Sequence, residues 1–115
     1  MRTKYGWVEI DGVRYDHDVI MHSDRSVIRR SKKKSRKFRK HFGHTPLSRY
    51  DLRFLDTDEA EVVYIGTGQF GDLPITVEAH SILREKETVI RPTPEILALL
   101  EEEQRPFAAV LHVSC

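Results

Sequence analysis

The apolar positions of this chain change period along its length. Across residues 6–10 they alternate, with Val8 and Ile10 on one side and Trp7 and Glu9 on the other, the period of two that a half-buried strand requires. Asp11-Gly12 separates this run from Val13-Arg14-Tyr15. Both central residues of a type I′ turn need positive φ, so a tight β-hairpin is predicted. Residues 19–21 read as a further strand, and Ser23-Asp24 as a turn into a second run at 26–28. The first third is therefore β-rich and antiparallel.

From Glu61 the pattern alternates strand with helix. Residues 62–65 are continuously apolar, as a strand covered on both faces should be. After a glycine-rich turn, Thr76 can cap a helix with the stripe Ala79, Ile82 and Leu83, and residues 88–90 form the next strand. Thr93-Pro94 reads as a cap followed by proline at the first helical position, before the stripe Ile96, Leu99 and Leu100. A buried strand closes the chain at 107–113. Upstream, Thr45-Pro46 carries the same cap signature, ahead of a short amphipathic helix through Leu47, Tyr50 and Phe54. The prediction is an α/β protein, one domain over residues 1–115, with an N-terminal hairpin region and a mixed central sheet flanked by helices.

Composition adds a charge asymmetry. Nine of the nineteen Lys and Arg residues lie in 29–40 with no acidic residue among them, which leaves ten basic against eighteen acidic elsewhere. The set is Arg29, Arg30, Lys32, Lys33, Lys34, Arg36, Lys37, Arg39 and Lys40. With Phe38 as its one apolar residue, this segment reads as a loop or a helix with a solvated charged face. It fits an acidic protein partner or another anion, or nucleic acid through phosphate contacts, though aromatics for base stacking are nearly missing. No apolar run approaches the roughly 20 residues of a membrane span, and no signal-peptide core is visible, so a cytoplasmic location is expected. The lone Cys115 rules out an intrachain disulfide.

Candidate chemistry is sparse. Gly66, Thr67, Gly68, Gln69, Phe70 and Gly71 fit G-x-G-x-x-G after a strand, a spacing that lets backbone N–H groups approach a phosphate. The dinucleotide context fails, because Asp72-Leu73-Pro74 separates the last glycine from the helix, and no cofactor is expected. The turn is either architecture or a small-anion loop, with Thr67, Gln69 and His112 as its polar candidates. Alternation in Asp16-His17-Asp18 sends the histidine opposite both carboxylates, and His41 with His44 lacks a third ligand, so no metal site is expected. His112 and Cys115 could in principle form a thiolate pair, but residues three apart in a strand face opposite sides.

Several stretches together resemble one family. Gly6-Trp7-Val8 through Asp11-Gly12, Tyr15 to Val19, Ile65-Gly66-Thr67-Gly68 with Gly71 and Leu73, Pro92-Thr93, and residues 108–115 look like the MTH nine-three-eight domain family, also called domain of unknown function four-nine-eight. The resemblance implies a compact α/β fold and no particular activity. Animal relatives are associated with adipogenesis and with assembly of respiratory complex I, which implies a binding or assembly role.

Overall fold

A computed structural model describes residues 1–115. Strands β1 (Arg2–Lys4), β2 (Trp7–Ile10) and β3 (Val13–Tyr15) form an antiparallel three-stranded sheet. The predicted hairpin joins β2 to β3, with Asp11 and Gly12 both at positive φ, 50° and 82°. A second sheet contains β4 (Val19–Met21), β5 (Val27–Arg29), β6 (Val62–Thr67), β7 (Thr88–Arg91) and β8 (Phe107–His112) in the order β5-β4-β8-β6-β7. β4 runs antiparallel to both β5 and β8, and β6 is parallel to β8 and β7, so the sheet is mixed.

Both faces of this sheet are covered, which is why its central strands are apolar without interruption. Phe107, Ala109 and Leu111 of β8 point to one side, with Val62 and Tyr64 of β6, and meet Val8 and Ile10 of the small sheet and Ile96, Leu97 and Leu100 of helix α3 (Thr93–Glu102). Ala108 and Val110, with Val63 and Ile65, point to the other side. There they pack on Ala79 and Leu83 of α2 (Val77–Arg84) and on Leu52 and Leu55 of a 3-10 helix at Arg49–Asp56. Thr76 caps α2 as predicted, its hydroxyl accepting from the Ala79 N–H.

Two predicted caps move. Ser48, not Thr45, starts the helical segment at Arg49: its side chain accepts from Tyr50 N, and the Asp51 carboxylate accepts from Ser48 N in a capping box. Leu47 instead bridges to Ile75 outside the helix. At α3 the cap is Pro92, and Thr93 is the first helical residue, its side chain diverted to tertiary partners. β6 also extends through Gly66 and Thr67, which the glycine-turn reading had placed after the strand.

The basic segment is ordered, with a 3-10 turn at Ser35–Phe38 and a short helix α1 at Arg39–Phe42. Composition alone assigns all nine cations to a solvated surface; the structure corrects this for Arg30, which is 2 % exposed. Its Nε donates to Asp51 Oδ1 at 2.9 Å, Nη1 to Asp18 Oδ2 at 2.9 Å, and Nη2 to Pro46 O at 2.8 Å and Asp51 Oδ2 at 3.1 Å. Buried Ser35 joins the same cluster, within 2.6 Å of Ser48 Oγ and donating to Asp51 Oδ2. No buried side-chain nitrogen or oxygen is left without a partner.

Removing one member of a buried ion cluster strands the opposite charges, at a cost of about 3–5 kcal/mol. Arg30→Ala should lower unfolding stability by about that much in urea denaturation, and Arg30→Lys by less but still measurably, because an ammonium cannot reproduce the planar fork.

Candidate functional site

Strand register builds the site. Val19 pairs with Arg29 across β4 and β5 and with Leu111 across β4 and β8, both antiparallel. One step beyond Val19, Asp18 therefore stands between Arg30 and His112. Thr67 pairs with His112 on the far side, completing a row across four strands.

Asp18 is the hub of this row and is 3 % exposed. Its Oδ1 accepts from Val113 N at 3.0 Å. Its Oδ2 is 2.7 Å from His112 Nδ1, 2.9 Å from Arg30 Nη1 and 3.3 Å from Lys32 Nζ. Burial alone would raise this carboxyl. The hydrogen bond from His112, with the charges of Lys32 and Arg30, outweighs burial and holds it far below the ordinary carboxylate range. An ionised carboxylate only accepts, so the Nδ1 of His112 carries a hydrogen. On the other edge of the ring, His112 Nε2 lies 3.2 Å from Ser114 Oγ.

The glycine-rich turn holds Ser114 in place. Gln69 N donates to Ser114 O at 2.7 Å, and Phe70 N and Asp72 N donate to Cys115 O at 3.0 and 3.2 Å. Gly68 N donates to Thr93 Oγ1, and that hydroxyl donates to His112 O at 2.6 Å. The N–H groups that an anion would need are thus occupied by the chain itself. Gly68 has φ +99°, and a Cβ there would stand 2.3 Å from the Cys115 carbonyl carbon; at Gly66 it would stand 2.7 Å from Thr93 Oγ1. The close approach of the Thr93 side chain explains Gly66, and that of the Ser114–Cys115 backbone explains Gly68. Gly71 takes φ +76° over Pro92, and Gln69 Nε2 donates to Thr3 Oγ1.

Ser114 opens onto a cleft of about 680 Å³ between the basic segment and the Val113–Ser114 backbone. Arg29, Lys32, Lys33 and Arg36 edge it, Asp16, His17 and Asp18 form part of the wall, and Val113 is its single hydrophobic lining residue. Four of the nine sequence-selected cations therefore meet at this cleft, while Arg30 lies in the wall behind it. Others gather elsewhere: Lys34 and Lys37, with Arg49 and Arg53, surround the Tyr50 ring with their charged groups 4.6–5.8 Å from its centroid. Lys37 donates to the Tyr50 hydroxyl at 2.6 Å, and this hydrogen bond with the charge of Arg49 lowers the phenol from its ordinary range. Arg39 and Lys40 are exposed on α1.

His17 Nδ1 turns to the Asp18 carbonyl, and no group of three or more His, Cys, Asp or Glu side chains converges to hold a metal ion. His112 meets Ser114, not Cys115, on its free edge. Asp18 is not legible as a partner of His112 because only the β4–β8 register joins positions 94 residues apart, whereas Ser114 lies two residues on. The residue two after His112 on an extended chain, on the same face, was the signal available.

No family model matches the chain, and no curated protein does either. Among solved structures, a conserved hypothetical protein, PH1505 from Pyrococcus horikoshii OT3, superposes with TM-score 0.86 at 31% identity, covering 100% of this chain and 98% of that one. MT938 superposes with TM-score 0.80 at 28% identity, covering 100% and 96%. The NMR structure of XCC1710 from Xanthomonas campestris shares the fold at TM-score 0.64 and 10% identity, covering 98% and 82%.

A carboxyl depressed by folding contributes stability that is complete above its unfolded pKa of about 3.9 and is lost as pH falls toward the folded value. Asp18→Asn should accordingly lower the urea midpoint at pH 7. The gap between wild type and variant should narrow as pH is taken from 5 to below about 3.

Proposed function

The chain belongs to the MTH nine-three-eight domain family, and from that footing we propose that it is a binding module whose cationic cleft receives acidic side chains of a protein partner. The observation that carries this reading is the convergence of Arg29, Lys32, Lys33 and Arg36 on one concave surface with a single apolar lining residue. Such a wall suits carboxylates and offers little to an apolar ligand. Guanidinium groups add bidentate geometry to the charge.

The two aspartates in the wall are outnumbered by the four cations that edge the cleft. Asp18 is already engaged by Arg30, Lys32 and His112. The anchoring of Arg30 and Ser35 in the buried cluster holds the segment's start against the body, so the flanking cations are presented on an ordered surface and lose less entropy on binding. The assembly role associated with animal relatives is a partner-binding role of the same kind, and the cytoplasm is where we place it. The second cationic cluster favours protein over single-stranded nucleic acid, because the Tyr50 ring is occupied by its own lysine and arginines instead of standing open for a base.

A labelled oligoglutamate peptide measured by fluorescence anisotropy should bind, with affinity falling as salt rises from 20 to 150 mM. The double variant Lys33→Ser, Arg36→Ser should lose about tenfold or more, since each contact of this type is worth roughly 0.5–1.5 kcal/mol. Equal affinity in the variant would sink the proposal. Tighter binding of a single-stranded oligonucleotide at 150 mM salt would replace it with nucleic-acid recognition.

A further inference from the structure

Asp18, His112 and Ser114 stand in the order carboxylate, imidazole, hydroxyl. The spacings are 2.7 Å from Asp18 Oδ2 to His112 Nδ1 and 3.2 Å from His112 Nε2 to Ser114 Oγ. Each member has the placement its role needs. The carboxylate is buried and fixed by Arg30 Nη1 and Val113 N. The imidazole is buried at 7 % exposure, and the hydroxyl is half-exposed at the wall of the cleft. An imidazole hydrogen held on Nδ1 by a carboxylate leaves Nε2 to accept from a hydroxyl, which is the arrangement that activates a serine nucleophile.

We infer that Ser114 is a nucleophile for acyl transfer from small esters bearing an anionic group, with His112 as general base and Asp18 as its positioning residue. The substrate preference rests on the cationic-cleft reading above; the nucleophile does not. Ser114 Oγ attacks the ester carbonyl carbon while its proton passes to His112 Nε2, and Asp18 stabilises the imidazolium that forms. The oxyanion develops in the cleft, where the positive charge of Lys32 favours it, while Lys33 and Arg36 meet the anionic group of the substrate. The carbon–oxygen bond to the leaving alcohol breaks, and that alcohol takes the proton from His112. Water then gives a proton to His112 and attacks the acyl-serine, and the proton returns to Ser114 Oγ as the carboxylic acid departs. Ester and water become acid and alcohol, with no redox partner.

The turn at 66–71 has a part in this reading, because it and Asp72 grip the backbone just after the serine side chain. The bonds from Gln69, Phe70 and Asp72 fix Ser114 and Cys115 while the side chain stays free to face the cleft. A nucleophile on a rigid backbone loses less entropy in reaching its attack geometry.

The test pairs covalent labelling with turnover. Intact wild-type protein is treated with a neutral fluorophosphonate, and the modified residue is located by mass spectrometry. Hydrolysis of mono-p-nitrophenyl glutarate is then compared with that of p-nitrophenyl butyrate. We expect a single phosphonyl adduct on Ser114, absent in Ser114→Ala, and labelling slowed roughly 100-fold or more in His112→Gln. Circular dichroism and thermal melts of both variants establish that they are folded, and Ser114→Ala, at a half-exposed position, melts like wild type. Glutarate ester should be preferred by wild type, and Lys33→Ser, Arg36→Ser should lose that preference while keeping butyrate hydrolysis and the label. Ser114 labelling with no preference for the anionic ester would overturn the substrate class and leave the nucleophile standing. No adduct on Ser114 in folded wild type, or hydrolysis undiminished in Ser114→Ala, would overturn the catalytic inference while leaving the cleft's affinity for acidic peptides to stand or fall on its own measurement.

Discussion

A guanidinium with almost no solvent contact is the constraint around which the rest of this protein is arranged. Arg30 cannot lose its proton, so burial has to be met by partners, and its donors go to Asp18, Asp51 and the Pro46 carbonyl. Burial tends to lower the arginine's pKa, and the two carboxylates more than offset it, leaving the group firmly charged. Such a cluster is weak evidence for net stability, because desolvation consumes most of the Coulombic gain. Its contribution is arrangement. The end of β5, the residue before β4, the loop at Pro46 and the capping box of the 3-10 helix have to meet at one point or leave a bare charge inside the protein.

Asp18 extends that arrangement into the cleft. The same Oδ2 that meets Arg30 also meets His112, so the group that orders the basic segment also orients the imidazole. On the far side, the tail after β8 is tied to the 66–71 turn through the Ser114 and Cys115 carbonyls, and that turn is tied to the start of α3 by Thr93. Three structural devices thus converge on one polar row: an ion cluster, an antiparallel register and a glycine-permitted backbone contact. No helix is long and apolar enough to cross a membrane, and the cleft opens directly to water.

Local chemistry made some of this readable in the sequence. Asp11-Gly12 predicts its hairpin because few other pairs tolerate two positive φ angles in succession. The doubly apolar strands are readable because they are covered on both faces. Thr76 is recognisable as a cap because its hydroxyl has no competing partner, whereas that of Thr93 is taken by Gly68 and His112. Arg30 is the instructive miss. Its neighbours in sequence are cations bound for solvent, and nothing local separates it from Arg29. What separates them is which residue continues the β5 row opposite Asp18, and register between strands is not a local property. Gly66 and Gly68 are conspicuous in the sequence, yet what they accommodate is the chain itself, the Thr93 side chain and the Ser114–Cys115 backbone, which a fingerprint for phosphate cannot tell from a ligand.

The central claim is that a carboxylate shared with the Arg30 cluster holds His112 with its hydrogen on Nδ1 and its Nε2 lone pair toward Ser114. A long-range ¹H–¹⁵N spectrum of the histidine rings at neutral pH reads this directly. The account predicts that His112 carries a hydrogen-bonded, slowly exchanging proton on Nδ1 and none on Nε2, with the Nε2 shift moving in Ser114→Ala. A proton found on Nε2 would contradict it.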